Sequence, residues 1–318
     1  MKSFLLTQGW EGAIQEMKSG MATAGRRDFV GYGMTPPKVK WPRRARLALT
    51  IAVNYEAGGE RSVVNGDAGP ETYGEFASYG PPPKRDLGIE SVFEYETRAA
   101  VWRLLDLFDR FGVKVTFFAT ARTLEANREA AREIVGRGHE VCCHGLRWVE
   151  HYTLTREEER TAISDAVKSI TESTGKRPLG WYCREPSENT IELISEEGGF
   201  LYDSDVYNDD LPYFVRCRKG RRLLLIPYTP DVNDFHYFSN RFANSDEFYG
   251  YLRDSFDVLY DEGARRPKLM NVGIHARISG RPGRTKAVEK FLGYVSKKKD
   301  VWIARRVDVA NWWIKEYG

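Results

Sequence analysis

The stretch 47–60, LALTIAVNYEAGGE, limits what this chain can fold into more than any other. Its first seven residues are apolar and rich in β-branched side chains, a composition that suits a strand buried on both faces. The run stops abruptly at Asn54, Tyr55 and Glu56, and Gly58-Gly59 then permits a tight turn that a Cβ would hinder. A strand buried on both faces belongs in a parallel sheet covered by helices, and such folds carry their reactive groups at the carboxyl ends of the strands. Glu56 is therefore the first candidate for chemistry, although a strand end followed by a solvated Glu reads the same way in isolation.

Regular alternation follows. A helix over 94–111 has Val101, Leu104, Leu105, Phe108 and Phe111 at helical spacing and stops at Gly112. A strand at 113–119 leads to a helix over 121–137, and a short strand at 140–143 runs into His144. Thr155 with Glu158 reads as a capping box for a helix to 173. A strand at 179–183 ends at Arg184, a helix spans 189–197, and 200–202 leads into Asp203-Ser204-Asp205. Then come a strand at 223–226, a helix over 246–262 and a strand at 268–274 that ends at His275. A helix over 286–295, a strand at 301–304 and a helix over 308–316 complete the pattern. Strands alternating with helices imply an α/β fold with a parallel sheet, closed or nearly closed as a (β/α) barrel. Residues 1–28 read as an N-terminal extension and 29–318 as one domain. The glycine- and proline-rich excursion 61–90 reads as a wall over an active site.

Composition narrows the function. The 48 basic and 45 acidic side chains leave a net charge of +3, which makes no case for nucleic acid or an anionic membrane. The basic run Lys38, Lys40, Arg43, Arg44, Arg46 is broken by Trp41 and Pro42 and reads as a solvated lead-in to the first strand. Cys142, Cys143, Cys183 and Cys217 show no paired metal spacing, and the adjacent pair inside an apolar strand suits reduced core thiols in a cytoplasmic protein. No signal-peptide pattern and no membrane-length apolar window is expected.

The polar clusters all follow predicted strands, which gathers Glu56, His144, Arg184, Asp203, Asp205 and His275 at one barrel mouth. The ordered blocks NYEAGGE, GHEVCCHGLRW, GWYCREPSENT, FLYDSDVYNDDLPY and GIHARISGRPGR resemble the polysaccharide deacetylase superfamily, in particular its cofactor-independent allantoinase and cyclic-imide hydrolase branch. The resemblance runs from about Phe29 to the C-terminus. It implies a distorted (β/α)7-type barrel, hydrolysis of carbon–nitrogen bonds and a tetrameric assembly.

Departures from the family pattern shape the expected chemistry. Metal-dependent members carry two adjacent aspartates in the first block, a base and a ligand, where this chain has Glu56 and Ala57. Their paired histidine ligands correspond to His144 and Trp148. Catalytic zinc takes three protein ligands and a water, so no metal and no cofactor is expected; a site rebuilt with His151 is the rival. Without a metal, a ring imide or hydantoin is a better target than a sugar acetamide, because its nitrogen leaves as a more stabilised anion. The resemblance makes Glu56 the base that takes a proton from water and His275 the acid for the leaving nitrogen. His144 orients water or substrate, and Arg147, Trp148, Arg184, Ser187, Asn189, Asp203 and Asp205 serve as substrate contacts. The branch's usual arginine falls where this chain has Glu185, one place after Arg184, which argues against a carboxylate- or ureido-bearing substrate. His139 and His236 receive no role, and Arg277, Arg281 and Arg284 read as a loop and a helix start. The reading is a metal-independent hydrolase of a small cyclic amide. Its rivals are a metal-dependent carbohydrate N-deacetylase and a non-catalytic ligand-binding barrel.

Overall fold

The computed structural model describes residues 22–74, 84–239 and 241–318. After a two-residue strand β1 (Ala22–Thr23) comes β2 (Leu47–Tyr55), which is buried at every position. Alternation along β2 sets two environments. Leu47, Leu49, Ile51, Val53 and Tyr55 pack outward into the larger core, under the helices. Ala48 and Ala52 face the second core cluster, Thr50 donates to Asn271 Oδ1 at 2.8 Å, and Asn54 donates to Tyr228 Oη at 3.0 Å. Polar inward positions survive burial because each finds a partner.

The remaining strands are β3 (Thr116–Ala119), β4 (Glu140–Cys143), β5 (Gly180–Trp181), β6 (Tyr202–Asp203), β7 (Tyr213–Arg216), β8 (Arg222–Leu225), β9 (Lys268–His275) and β10 (Val301–Ile303). The order β1-β7-β8-β6-β5-β4-β3-β2-β10, with β9 also on β2, is parallel except where β7 runs antiparallel to β8. The opening between β8 and β9 is crossed by a parallel bridge from Asn233 to Gly273, so the barrel nearly closes.

The helices are α1 (Leu87–Tyr95), continued by a π-helical turn (Glu96–Ala100) into α2 (Val101–Phe111), then α3 (Ala121–Ala126), α4 (Arg128–Gly136), α5 (Arg156–Thr174), α6 (Thr190–Glu197), α7 (Ser245–Gly263), α8 (Ala276–Ser279), α9 (Pro282–Val295) and α10 (Arg306–Tyr317). The capping box at Thr155 is present, with both of its reciprocal bonds. Several expected bounds shift for local reasons. The helix expected over 94–111 starts at Leu87, because Asp86 accepts from Ile89 N at 2.9 Å and caps it. The one expected over 121–137 breaks at Asn127, whose side chain accepts from Ala130 N and starts α4. The strand expected at 113–119 joins the ladder at Thr116. Strand β7 and the short α8 have no counterpart in the sequence reading. Of the expected extension, residues 1–21 lie outside the described residues, while Ala22 and Thr23 pair with Val215 and Arg216. Part of the expected wall, 75–83, also lies outside them.

The amino end of the barrel is plugged by the start of α10. Arg306 N donates to Thr116 Oγ1 and Val307 N to Glu140 Oε2, which satisfies first-turn donors that α10 cannot satisfy itself. The fully buried Arg306 guanidinium donates to Ser204, Asn271, Ile226 O and Pro227 O. Glu56, His144 and His275 lie at the other, carboxyl ends of the strands.

Two glycines test this packing. A Cβ on Gly273 would meet Tyr228 Oη at 2.3 Å and Asn233 Nδ2 at 2.6 Å, whereas one on Gly250 in α7 meets nothing within 4 Å. Gly273→Ala is expected to cost roughly 1–3 kcal/mol by overpacking. Gly250→Ala is expected to stabilise by about 0.5–1 kcal/mol through helix propensity. Urea unfolding midpoints with unchanged slopes would measure both.

Candidate active site

Glu56 is the residue that leaves β2 at its carboxyl end, and the tight turn behind it is held by Gly59 N donating to Glu56 O at 2.8 Å. Gly58 has φ +83°, and a Cβ on Gly59 would meet Thr120 Oγ1 at 2.7 Å, so this turn requires both glycines. The turn aims the Glu56 side chain inward, with 0% exposure. His144, at the end of β4, places Nε2 3.1 Å from Glu56 Oε1, and its Nδ1 lies 3.2 Å from Tyr182 O. Both ring nitrogens of His144 thus face oxygen atoms. His275, at the end of β9 beside β2, places Nε2 3.9 Å from the same Glu56 oxygen. The ladder that pairs Asn54 with His275 brings these distant blocks together.

Three further side chains complete the cluster. Arg277, in α8, donates from Nη1 to Glu56 Oε2 and is itself 1% exposed. Glu96, in the π-helical turn, accepts from Glu56 N at 3.0 Å and Ala57 N at 2.7 Å through Oε2. Asp234 Oδ1 accepts from His275 Nδ1 at 2.7 Å, and its other oxygen accepts from His275 N and Ser279. A carboxylate with that many donors only accepts, so the hydrogen of His275 sits on Nδ1 and Nε2 is the nitrogen turned to Glu56.

The surrounding charges set the protonation of Glu56. Burial pushes the Glu56 pKa up, but Arg277, His275 and His144 outweigh it and hold the carboxyl well below the usual carboxylate range. Glu96 moves the other way: burial raises it, and the Glu56 charge adds to the rise against the pull of Arg277. Two carboxyls share one guanidinium, and Glu56 keeps the negative charge.

Aromatic rings flank the cluster. Tyr182 stacks on His144 with centroids 4.9 Å apart and on Phe118 at 4.6 Å. Phe235 lies 5.0 Å from His275, and Tyr73 lies 5.9 Å from Phe235. The stretch 60–74 is strapped to the loop after β4 and to Arg184. Arg147 donates to Asp67 and to Glu60 O, Arg61 to Glu150, and Arg184 to Glu71 at 2.7 Å, with a Glu150 oxygen 3.0 Å away. Trp148 is buried between the guanidinium groups of Arg184, 3.9 Å from its ring, and Arg277, 5.0 Å from it.

Residues singled out in the sequence therefore separate into two groups. Glu56, His144 and His275 converge, and Trp148 touches the same cluster through Arg277. Arg147 and Arg184 are spent on the strap. Ser187 donates to Glu159 at 2.5 Å and Asn189 accepts from Arg156 at 3.1 Å, both at the start of α6. Asp205 accepts from Cys183 N at 2.8 Å and Trp181 Nε1 at 3.1 Å, while Asp203 accepts from Asp205 N; burial pushes both carboxyls upward. His151 faces Glu159, 3.2 Å away, and not Glu56. Glu185 is exposed and holds a left-handed backbone at φ 53°.

Sequence reasoning missed Arg277, Glu96 and Asp234 as site residues. Glu96 had a readable signal, since it continues the buried face of Ile89, Val92 and Phe93 down one side of the helix. Arg277 sits two places after His275, and Asp234 lies in an irregular stretch without a pattern.

A metal ion, which the resemblance implies for other family members, does not fit these residues. Ala57 and Trp148 offer no ligand lone pair, and the Arg277 cation already occupies the Glu56 carboxylate.

The comparisons with known proteins agree with this architecture. Residues 83–190 match the polysaccharide deacetylase family model. A solved Pseudomonas aeruginosa PAO1 structure that carries a polysaccharide deacetylase designation is 44% identical, with TM-score 0.86, covering 92% of this chain and 98% of that one. The structure of PuuE allantoinase is 43% identical, with TM-score 0.87 and the same coverage. A Schizosaccharomyces pombe protein assigned to the polysaccharide deacetylases is 37% identical over 308 residues, covering 90% of this chain and 96% of its own length. Sequence, barrel and relatives converge: the chain belongs to the polysaccharide deacetylase family and is a hydrolase.

Proposed function

We propose that this hydrolase opens a small cyclic amide (a hydantoin, allantoin or a cyclic imide) by a metal-independent acid–base mechanism. The observation that carries the reading is the fully buried Glu56, held between His144, His275 and Arg277. The 43% identity to PuuE allantoinase, over nearly the whole of both chains, supports carbon–nitrogen hydrolysis in a ring.

Glu56 takes a proton from water, and the hydroxide oxygen bonds to the ring carbonyl carbon. His275, held by Asp234 with Nε2 on the Glu56 side, takes that proton from Glu56 across their 3.9 Å separation and gives it to the leaving nitrogen as the carbon–nitrogen bond breaks. The products are a carboxylic acid and an amide or ureido group on one opened chain, so one water is consumed. Glu56 and His275 thereby return to their starting states, and the product acid loses its proton to solvent. His144 keeps the carboxylate aligned. The aromatic faces of Tyr182 and Phe235, on the two histidine sides, suit a flat ring. Arg184 is charge-matched by Glu71 and Glu150 and contributes through packing on Trp148, in keeping with the doubt that Glu185 casts on allantoin itself.

The deacetylase designations of two relatives keep one second reading in play, a carbohydrate N-deacetylase. That reading predicts release of acetate from N-acetylated sugars by metal-loaded protein.

Assays on hydantoin, succinimide and allantoin test the proposal. Glu56→Gln and His275→Ala are each expected to lower kcat by about 10²-fold or more while the protein stays folded. Activity that survives both changes would sink the mechanism. Asp234→Asn, which loses the acceptor that fixes the His275 tautomer, should also lower kcat, with KM little changed.

A further inference from the structure

Arg277 is the most unusual buried group in the molecule. It is a guanidinium with 1% exposure and only part of its donor capacity used. Nη1 donates to Glu56 Oε2, but Nη2 has no hydrogen-bond partner among the described residues. Buried donors are almost always paired, and an unpaired donor on a buried cation is costlier still, so its retention needs a reason. Packing does not supply one. The flat faces of the guanidinium lie over Phe93, at 4.4 Å, and Trp148, at 5.0 Å, neither of which accepts a conventional hydrogen bond from Nη2. Glu96 is the other nearby carboxylate: its Oε2 is taken by Glu56 N and Ala57 N, and its Oε1, like Nη2, has no hydrogen-bond partner among the described residues, so the two are not paired with each other.

The position of this cation is informative. Trp148 and Ala57 stand where metal-dependent relatives carry two ligands, and in this chain both belong to one apolar cluster with Ile89 and Phe93, on which Arg277 is stacked. The fixed positive charge that a metal would bring to this corner is brought instead by a side chain two residues after His275. The rim cations are committed elsewhere: Arg147 to Asp67, and Arg184 to Glu71 and Glu150.

We propose that Nη2 of Arg277 receives the developing oxyanion of the substrate carbonyl, so that one guanidinium both anchors the base and stabilises the tetrahedral intermediate. This rests on the reading of Glu56 as the base. As the hydroxide oxygen bonds to the carbonyl carbon, the carbonyl π pair moves onto oxygen, and Nη2–H donates to that oxygen. When the carbon–nitrogen bond breaks, the pair returns to re-form the carbonyl and the nitrogen takes its proton from His275. Arg277 gains and loses no proton in the cycle. A preoriented charged donor in a dry site acts here as backbone donors and metals do in other hydrolases.

The test compares Arg277→Lys, Arg277→Met and Glu56→Gln with the wild type on the ring amide that the wild type opens best, with kcat and KM resolved and folding checked by thermal unfolding. Lysine keeps a positive charge beside Glu56 but offers no second amino group in a fixed fork. The proposal expects folded Arg277→Lys to lose roughly 10²–10³-fold in kcat with KM changed only a few-fold. It expects millimolar guanidinium chloride, but not ammonium chloride, to restore part of the activity of Arg277→Met. If Arg277→Met fails to fold, Arg277→Lys decides alone. A folded lysine variant with kcat within a few-fold of wild type, or a loss confined to KM, overturns the oxyanion role. If that happens while Glu56→Gln is inactive, the Glu56 mechanism stands and only the role of Arg277 falls. Turnover that survives in Glu56→Gln, or a wild type that opens none of these rings, overturns both.

Discussion

The structure turns on a carboxylate that has been taken out of water. Removing Glu56 from solvent costs several kcal/mol even after relaxation. One opposite charge about 4 Å away returns about 4 kcal/mol at an effective dielectric near 20. A single partner would therefore leave the charge barely balanced. The site gives Glu56 Arg277 on one oxygen and His144 and His275 around the other, and the balance tips towards ionisation. These partners come from two strand ends, β9 and β4, so the state of Glu56 depends on the register of the barrel. The eight-residue pairing of β2 with β9 aligns His275 and Arg277 with Glu56, and β3 carries β4, and with it His144, to the other side.

The same demand accounts for features that look incidental alone. The π-helical turn puts the Glu96 carboxyl onto the backbone N–H groups of Glu56 and Ala57, which pins the turn that aims the Glu56 side chain. Local widening of a helix of this kind often marks a functional site. The ion pairs of Arg61, Arg147 and Arg184 tie 60–74 to the loop that carries Trp148, whose ring lies beside the Arg277 guanidinium. In largely buried pairs of this sort the attraction is set against the desolvation of both partners, so they are weak evidence for stability.

Much of this was legible in the sequence because it followed periodicity. Strand β2, the Thr155 capping box, the parallel alternation and the placement of Glu56, His144 and His275 at strand ends all express spacing rules that one element obeys by itself. The parts that were not legible depend on distant partners. Strand β7 is a strand because β8 offers an antiparallel edge, and nothing in YFVR announces that partner. Arg184 resembles a substrate contact in sequence, yet Glu71 and Glu150, both far away in the chain, claim its guanidinium. Conversely, Arg277 reads as part of a helix start until the β2–β9 register lays it on Glu56. Ser187 and Asn189 match a family block, but their side chains serve the first turn of α6 through Glu159 and Arg156.

The central claim is that fixed side-chain charge around Glu56 drives hydrolysis where related enzymes use a metal. The most direct measurement is elemental analysis of protein purified without added metal, with ring-opening activity assayed on the same sample before and after a chelator. The account predicts substoichiometric metal and undiminished turnover after chelation. Stoichiometric zinc, with activity that disappears on chelation and returns on zinc addition, would contradict it.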